Sequence, residues 1–383
     1  MSARAMDKVS LGVKALCVRA LRTLAPGRCS PAWLAVFLIF IASPLWAQTF
    51  TPSANVGVGI QTSYQNVDPT GGNDLNQFAL DHARIYLSGT ITPNISVMFN
   101  TDYNSTTNSM GILDAVGQFH ISSGFNVWFG RFLPPSDRDN FTGPFYSNEW
   151  AVYTDGIQDG YAAVFQGRDN GAAYWGDFKA GIAEIKVSAG AFDGGSVDGN
   201  SDVIFAGRVQ LDFWDPEGGY YLNSTYYGDK NLLALGVATQ VQTNKTATTG
   251  DFLMERKVRG GGAFTIESEF SRYNGFGGYN ANYVKSEGAY LLASFLIPKQ
   301  VGVGKFEVLG KYAGAEFTNG LITPLVRNPS YQQKTTEVDF DYIIKQFDAR
   351  LMSFFKDTRF NAVNSDFFEA GIGLQFQISK DIR

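Results

Sequence analysis

The stretch Phe368-Glu369-Ala370-Gly371-Ile372-Gly373-Leu374-Gln375-Phe376-Gln377-Ile378 alternates residue by residue. Phe368, Ala370, Ile372, Leu374, Phe376 and Ile378 fall on one side, and Glu369, Gly371, Gly373, Gln375 and Gln377 on the other. Successive side chains of a strand point to opposite faces. Such a strand therefore has apolar surroundings on one side and water on the other. A half-buried strand of a soluble sandwich and a lipid-facing, lumen-facing strand of a transmembrane barrel share this pattern. Recurrence along the chain and the segment that precedes it decide between them.

The pattern recurs. Period-2 runs read as strands at 56–65, 78–91, 95–103, 113–121 and 125–132, then at 160–165, 184–192, 203–214, 220–227 and 232–241. Later runs are 262–270, 287–297, 305–315, 335–344, 347–356 and 366–378. Segments 167–182 and 242–259 fit the period poorly. The early connections run long, short, long, short, with tight turns at Thr92-Pro93-Asn94 and Ser122-Ser123-Gly124. Asp215-Pro216-Glu217-Gly218 reads as a further turn. Phe99, Tyr103, Phe132, Trp214, Tyr220, Tyr312, Phe355 and Phe376 sit near strand ends, as interfacial aromatic girdles require. The expected fold is all-β, a transmembrane antiparallel β-barrel of about 16 strands.

The N-terminus reads as a leader. Arg4, Lys8, Lys14, Arg19, Arg22 and Arg28 precede an uncharged run from Ala32 to Ala42, and Ser43-Pro44-Leu45-Trp46-Ala47 follows. A basic region, a short apolar core and a small residue describe a secretory signal peptide. The core is too short for a spanning helix, which needs about 20 residues. Cleavage after Ala47 leaves 48–383 as the barrel. Both cysteines, Cys17 and Cys29, leave with the leader, so the mature chain has no thiol chemistry. The whole chain carries net charge −5. Residues 1–47 hold six cations and one anion, so the mature chain has 25 Lys plus Arg against 35 Asp plus Glu, or −10. That acidity argues against nucleic acid as a partner.

Leu133 to Asp159 is the longest expected connection, rich in proline and aromatics. A loop of this length without disorder-prone composition is usually functional. It is third among the expected extracellular loops, and a barrel of this width otherwise leaves an open aqueous channel. The expectation is that it folds inward, with Asp137-Arg138-Asp139 facing Arg84 or Arg131; the alternative is a loop packed on the rim. Arg131 is placed in the lumen, with Trp128, Gly130 and Phe132 facing lipid, because an arginine near mid-membrane costs up to ~2–4 kcal/mol. The expected pore lining is Arg84, Arg131, Asp137, Arg138, Asp139, Glu184, Lys186, Arg208, Asp212, Glu307, Lys311, Asp348 and Arg350.

Ala83-Arg84-Ile85-Tyr86-Leu87-Ser88-Gly89 resembles the opening of the phosphate-selective porin O and P family, as do Asp114-Ala115-Val116-Gly117-Gln118-Phe119 and Phe129-Gly130-Arg131-Phe132-Leu133-Pro134-Pro135. Asp339-Phe340-Asp341-Tyr342-Ile343-Ile344 with Asp348-Ala349-Arg350-Leu351 is similar to its penultimate hairpin. The resemblance implies a sixteen-stranded homotrimer in outer-membrane lipids that conducts small solutes. The chain departs from the family's pattern in its acidic balance and in the residues that follow Phe376.

The leading functional expectation is a passive channel for small hydrophilic solutes or ions, with no cofactor and no strong phosphate preference. The alternatives are a phosphate- or solute-selective anion channel and a plugged structural barrel or adhesin. An enzyme is not expected: only His82 and His120 exist, both at ordinary strand positions. Calcium at Asp137 and Asp139 is a weak signal, two carboxylates spaced by one residue.

Overall fold

A computed structural model describes residues 51–378, apart from 106–107, 151, 153–155, 159–166, 195–201, 277–282, 320–329 and 362–365. The expected leader 1–47 and the expected strand 160–165 lie outside the described residues.

The chain begins with β1 (Ser53–Pro69), β2 (Leu75–Thr92), β3 (Ile95–Asn104), β4 (Ser109–Ser122) and β5 (Phe125–Phe132). A long connection carrying the helix α1 (Arg138–Tyr146) leads to β6 (Asp169–Ala180), β7 (Ala183–Phe192) and β8 (Ile204–Asp212). Next come β9 (Leu232–Gln242), β10 (Lys245–Val258), β11 (Gly262–Asn274) and β12 (Tyr283–Val301). The series ends with β13 (Gly304–Asn319), β14 (Ser330–Lys345), β15 (Ala349–Phe360) and β16 (Phe367–Ile378). Each strand pairs antiparallel with its sequence neighbours, and β16 pairs with β1 to close the barrel. Closure leaves no sheet edge unpaired.

The terminal strand shows the general rule. Ile372, Leu374, Phe376 and Ile378 are exposed on the outer face, while Gly371, Gly373, Gln375 and Gln377 are buried on the inner one. Ile85, Leu87, Phe205, Val209, Phe340 and Phe355 are likewise exposed outward. An apolar outer surface wrapped round a polar interior suits surroundings of lipid. No helix among the described residues is long and apolar enough to cross a membrane.

The count of sixteen agrees with the sequence reading, but the strands are not all the same ones. β6 and β10 occupy the two segments that fit the period poorly. On β10 the outward positions Thr246, Thr248 and Gly250 come before Phe252 and Met254, so the first half of the strand lacks an apolar face. The expected strand 220–227 is not a strand. It belongs to the connection 213–231 between β8 and β9, and Tyr220, Leu222 and Ser224 alternate because every second side chain is buried inside the barrel.

That connection is out of place by length. At its end of the barrel the others, 93–94, 123–124, 181–182, 259–261, 302–303 and 346–348, have two or three residues. The opposite end carries 133–168 and most of the longer loops, although 243–244 there is also short.

Candidate functional site

Two segments enter the same space from opposite ends of the barrel. One follows β5, the other follows β8, and consecutive antiparallel strands end at alternate rims. The first opens with Leu133 and contains α1, whose N-cap is Asp137: its carboxylate accepts a hydrogen bond from the Asn140 amide at 2.8 Å. This satisfies one of the orphan donors of a helix start. Gly143, with φ 61°, kinks the helix ahead of Pro144. Calcium would have to displace Asp137 from this cap, and among the described residues no acidic or histidine cluster is arranged for a metal ion.

Contacts tie the first segment to strands all round the barrel. Gln61 on β1 donates to Pro144 O at 3.0 Å. Tyr290 on β12 donates to Asp139 at 2.7 Å, and Asn148 donates to Ser294 at 2.8 Å. Lys311 on β13 grips both Glu149 oxygens at 2.8 and 2.7 Å, and Arg350 on β15 donates to Ser147 O at 2.6 Å. The bare face of β16 now has a reason. A Cβ at Gly373 would lie 2.5 Å from the Trp150 ring, and one at Gly371 would lie 2.2 Å from Phe354. Trp150 stacks on Phe354 with ring centroids 6.3 Å apart.

The second segment docks on the first. Leu222 N donates to Phe141 O at 3.3 Å, Ser224 N to Tyr146 O at 3.2 Å, and Asn148 N to Ser224 Oγ at 2.9 Å. Arg138 forms a fork with Glu217, at 3.0 and 2.7 Å, with both side chains fully buried. Burial alone would raise the Glu217 carboxyl, but the Arg138 guanidinium outweighs it and holds the pKa below the usual range. Burial pushes Asp139 up to about 6, and pushes Glu149 up to about 8 against the pull of Lys311. Trp128, Phe132, Phe141, Phe192, Leu222 and Tyr220 make an apolar cluster around this junction, Trp128 and Tyr220 lying 4.5 Å apart.

Several expected lining residues do face inward: Arg84, Lys186, Arg208, Asp212, Glu307, Lys311 and Arg350 are buried there, and Glu184 is half-buried at a strand end. Four expectations are corrected. Arg131 lies on the outer face with Val127 and Phe129, and its Nε donates to Ile112 O at 3.2 Å. Trp128 and Phe132 take the inner positions because both pack into the aromatic cluster, so neither Phe132 nor Tyr220 belongs to a girdle. At the last turn of its strand Arg131 is near an interface, where the penalty falls to ~0–1 kcal/mol. Asp348 sits in the turn 346–348, paired with Lys345 at 2.9 Å, and lines nothing. The loop tip meets neither Arg84 nor Arg131: Arg138 faces Glu217 and Asp251, while Arg84 bonds Asp102 and covers the Phe145 ring at 4.8 Å. Glu217 was not legible from sequence, because Asp-Pro-Glu-Gly is indistinguishable from an exposed turn.

Inner-facing and loop ionisable groups are unequal in number. Among the described residues sixteen carboxylates are buried against eight Lys and Arg. Both histidines have polar partners. His82 Nδ1 is 2.9 Å from Asp102. His120 lies between Ser96 Oγ at 3.1 Å and Asn126 Oδ1 at 3.0 Å.

No family model matches the chain, and no curated protein matches it. Among solved structures it is similar to an anion-selective porin from Comamonas acidovorans, at 13% identity and TM-score 0.56, covering 86% of this chain and 100% of that one. OprB of Pseudomonas putida matches at 8% identity and TM-score 0.57, over 85% of this chain and 94% of that one. OmpT of Vibrio cholerae matches at 8% identity and TM-score 0.52, over 87% and 99%. These likenesses define the class, a closed sixteen-stranded antiparallel barrel of the outer-membrane type. The expectation that the chain is not an enzyme is corrected at the same point. The matched barrels include OmpT, described only as an outer-membrane protein, alongside the porins, so the fold does not by itself assign this chain to the channels.

Proposed function

We propose that the chain is an outer-membrane channel for passive diffusion of small hydrophilic solutes or ions, exported by the leader 1–47 and narrowed by the segment 133–158. The observation that carries this reading is the pairing of a charged inner wall with a segment bonded to that wall on many sides. A pore selects by width and lining charge. The excess of buried carboxylates over Lys and Arg offers no support for a phosphate channel. A second reading, a plugged barrel, draws on the docking of 213–231 onto the first segment. Liposome swelling separates the two. Proteoliposomes diluted into isotonic arabinose swell if the barrel passes small solutes. Vesicles that hold heat-modifiable, membrane-inserted barrel and do not swell support the plug.

A further inference from the structure

Ser96, His120 and Asn126 stand side by side on three adjacent strands, β3, β4 and β5, near the short-turn end. They share the inner face with Met98, Gln118 and Trp128, as their parity along the strands requires. Their hydrogen bonds have a direction. The Asn126 amide nitrogen donates to Ser123 O and Trp175 O, both at 3.3 Å. That fixes the amide so that Oδ1 is the atom turned to His120, 3.0 Å from Nδ1. An amide oxygen only accepts, so Nδ1 carries the proton. Nε2 is then a lone-pair acceptor, and it faces Ser96 Oγ at 3.1 Å. A nucleophile against a base, and the base held in one tautomer by a third group, is the logic of serine acyl transfer. Ser96 and His120 are only half-buried, so a small molecule in the lumen reaches them.

We propose that Ser96, His120 and Asn126 form a hydrolytic site for small water-soluble carboxylic esters that enter the lumen. The inner-face position excludes the bulk lipid outside as substrate. Trp175, whose ring lies 6.5 Å from the imidazole edge-on, gives an apolar wall for an acyl or aryl group. In the reaction Ser96 Oγ bonds to the ester carbonyl carbon while its proton passes to His120 Nε2. The carbonyl–oxygen bond to the alcohol then breaks, and the alcohol leaves with that proton. Water, deprotonated by Nε2, attacks the acyl-serine, and the acid leaves as Oγ regains its proton. Ser96 Oγ donates to Gln118 Oε1 at 2.8 Å, so the hydroxyl must turn its single proton from that oxygen to His120 Nε2 before it attacks. Asn126 acts through His120 and is a positioning residue.

The test uses the refolded barrel in detergent, with its boiling-dependent gel shift as the control for folding. A fluorophosphonate probe is expected to label the parent at Ser96, as located by peptide mass spectrometry, and p-nitrophenyl butyrate is expected to turn over. Ser96→Ala abolishes both. Asn126→Ala keeps the serine but lowers kcat with little change in KM and displaces the acid limb of the pH profile, which a merely structural residue would not do. No adduct on Ser96 in the folded parent, or hydrolysis equal in parent and Ser96→Ala, overturns the proposal. Neither readout depends on conduction through the pore.

Discussion

Arg138 and Glu217 are 79 residues apart in sequence, arrive from opposite ends of the barrel, and meet as a fully buried fork at 2.7 and 3.0 Å. Glu217 also accepts from Tyr226 at 2.7 Å and from Gln210 at 2.7 Å. Removing one partner of such a pair strands a buried charge, at a cost of about 3–5 kcal/mol, whereas replacing both with apolar groups is often neutral. Glu217→Gln is therefore expected to loosen the junction, seen as faster proteolysis within 213–231 and noisier currents. Arg138→Met with Glu217→Gln, which keeps an acceptor for Tyr226 and Gln210, should recover part of the parent's resistance. Equal resistance in the single variant and the parent would show that the fork does not hold the segments together.

Gly373 lets Trp150 lie against β16, and a Cβ there would come within 2.5 Å of the ring. Overpacking of this kind costs about 1–3 kcal/mol. Gly373→Val is expected to push Trp150 off the wall, shifting tryptophan emission to the red and raising conductance, with the barrel still closed. Unchanged emission would place Trp150 elsewhere.

Burial lifts Asp139 from 3.8 to about 6. Its neutral form favours the packed segment, so this contribution is fully present below about pH 4 and fades as pH rises through 6. Above pH 6 the same group adds a negative charge to the passage. The permeability ratio of K⁺ to Cl⁻ should accordingly rise between pH 5 and 7, and Asp139→Asn should remove that step. A flat ratio in the parent would contradict the assignment.

The sequence reading succeeded where one face of a strand meets lipid. Phe368 to Ile378 alternates because one side must be apolar, and the same constraint made Arg84, Arg208 and Arg350 legible as inner residues. It failed where an inner surface is apolar too. Trp128 and Phe132 look outward-facing by composition, but they pack against Tyr220 and Phe141 from the two inserted segments. The connection 213–231 reads as a strand for the same reason, since burial against an inserted segment leaves the same period as burial in lipid. Ser96, His120 and Asn126 could not be joined, because their proximity depends on cross-strand register, which a single strand does not encode.

The central claim is a conducting barrel obstructed by two segments from opposite ends. Single-channel recording in planar bilayers tests it most directly, comparing the parent with a variant in which 216–227 is replaced by a short Gly-Ser turn, each with its boiling-dependent gel shift. Small discrete steps are expected from the parent, larger steps from the variant, and a further increase when 136–148 is also removed. Identical conductance in the three proteins, or none from a folded variant lacking both segments, would contradict it.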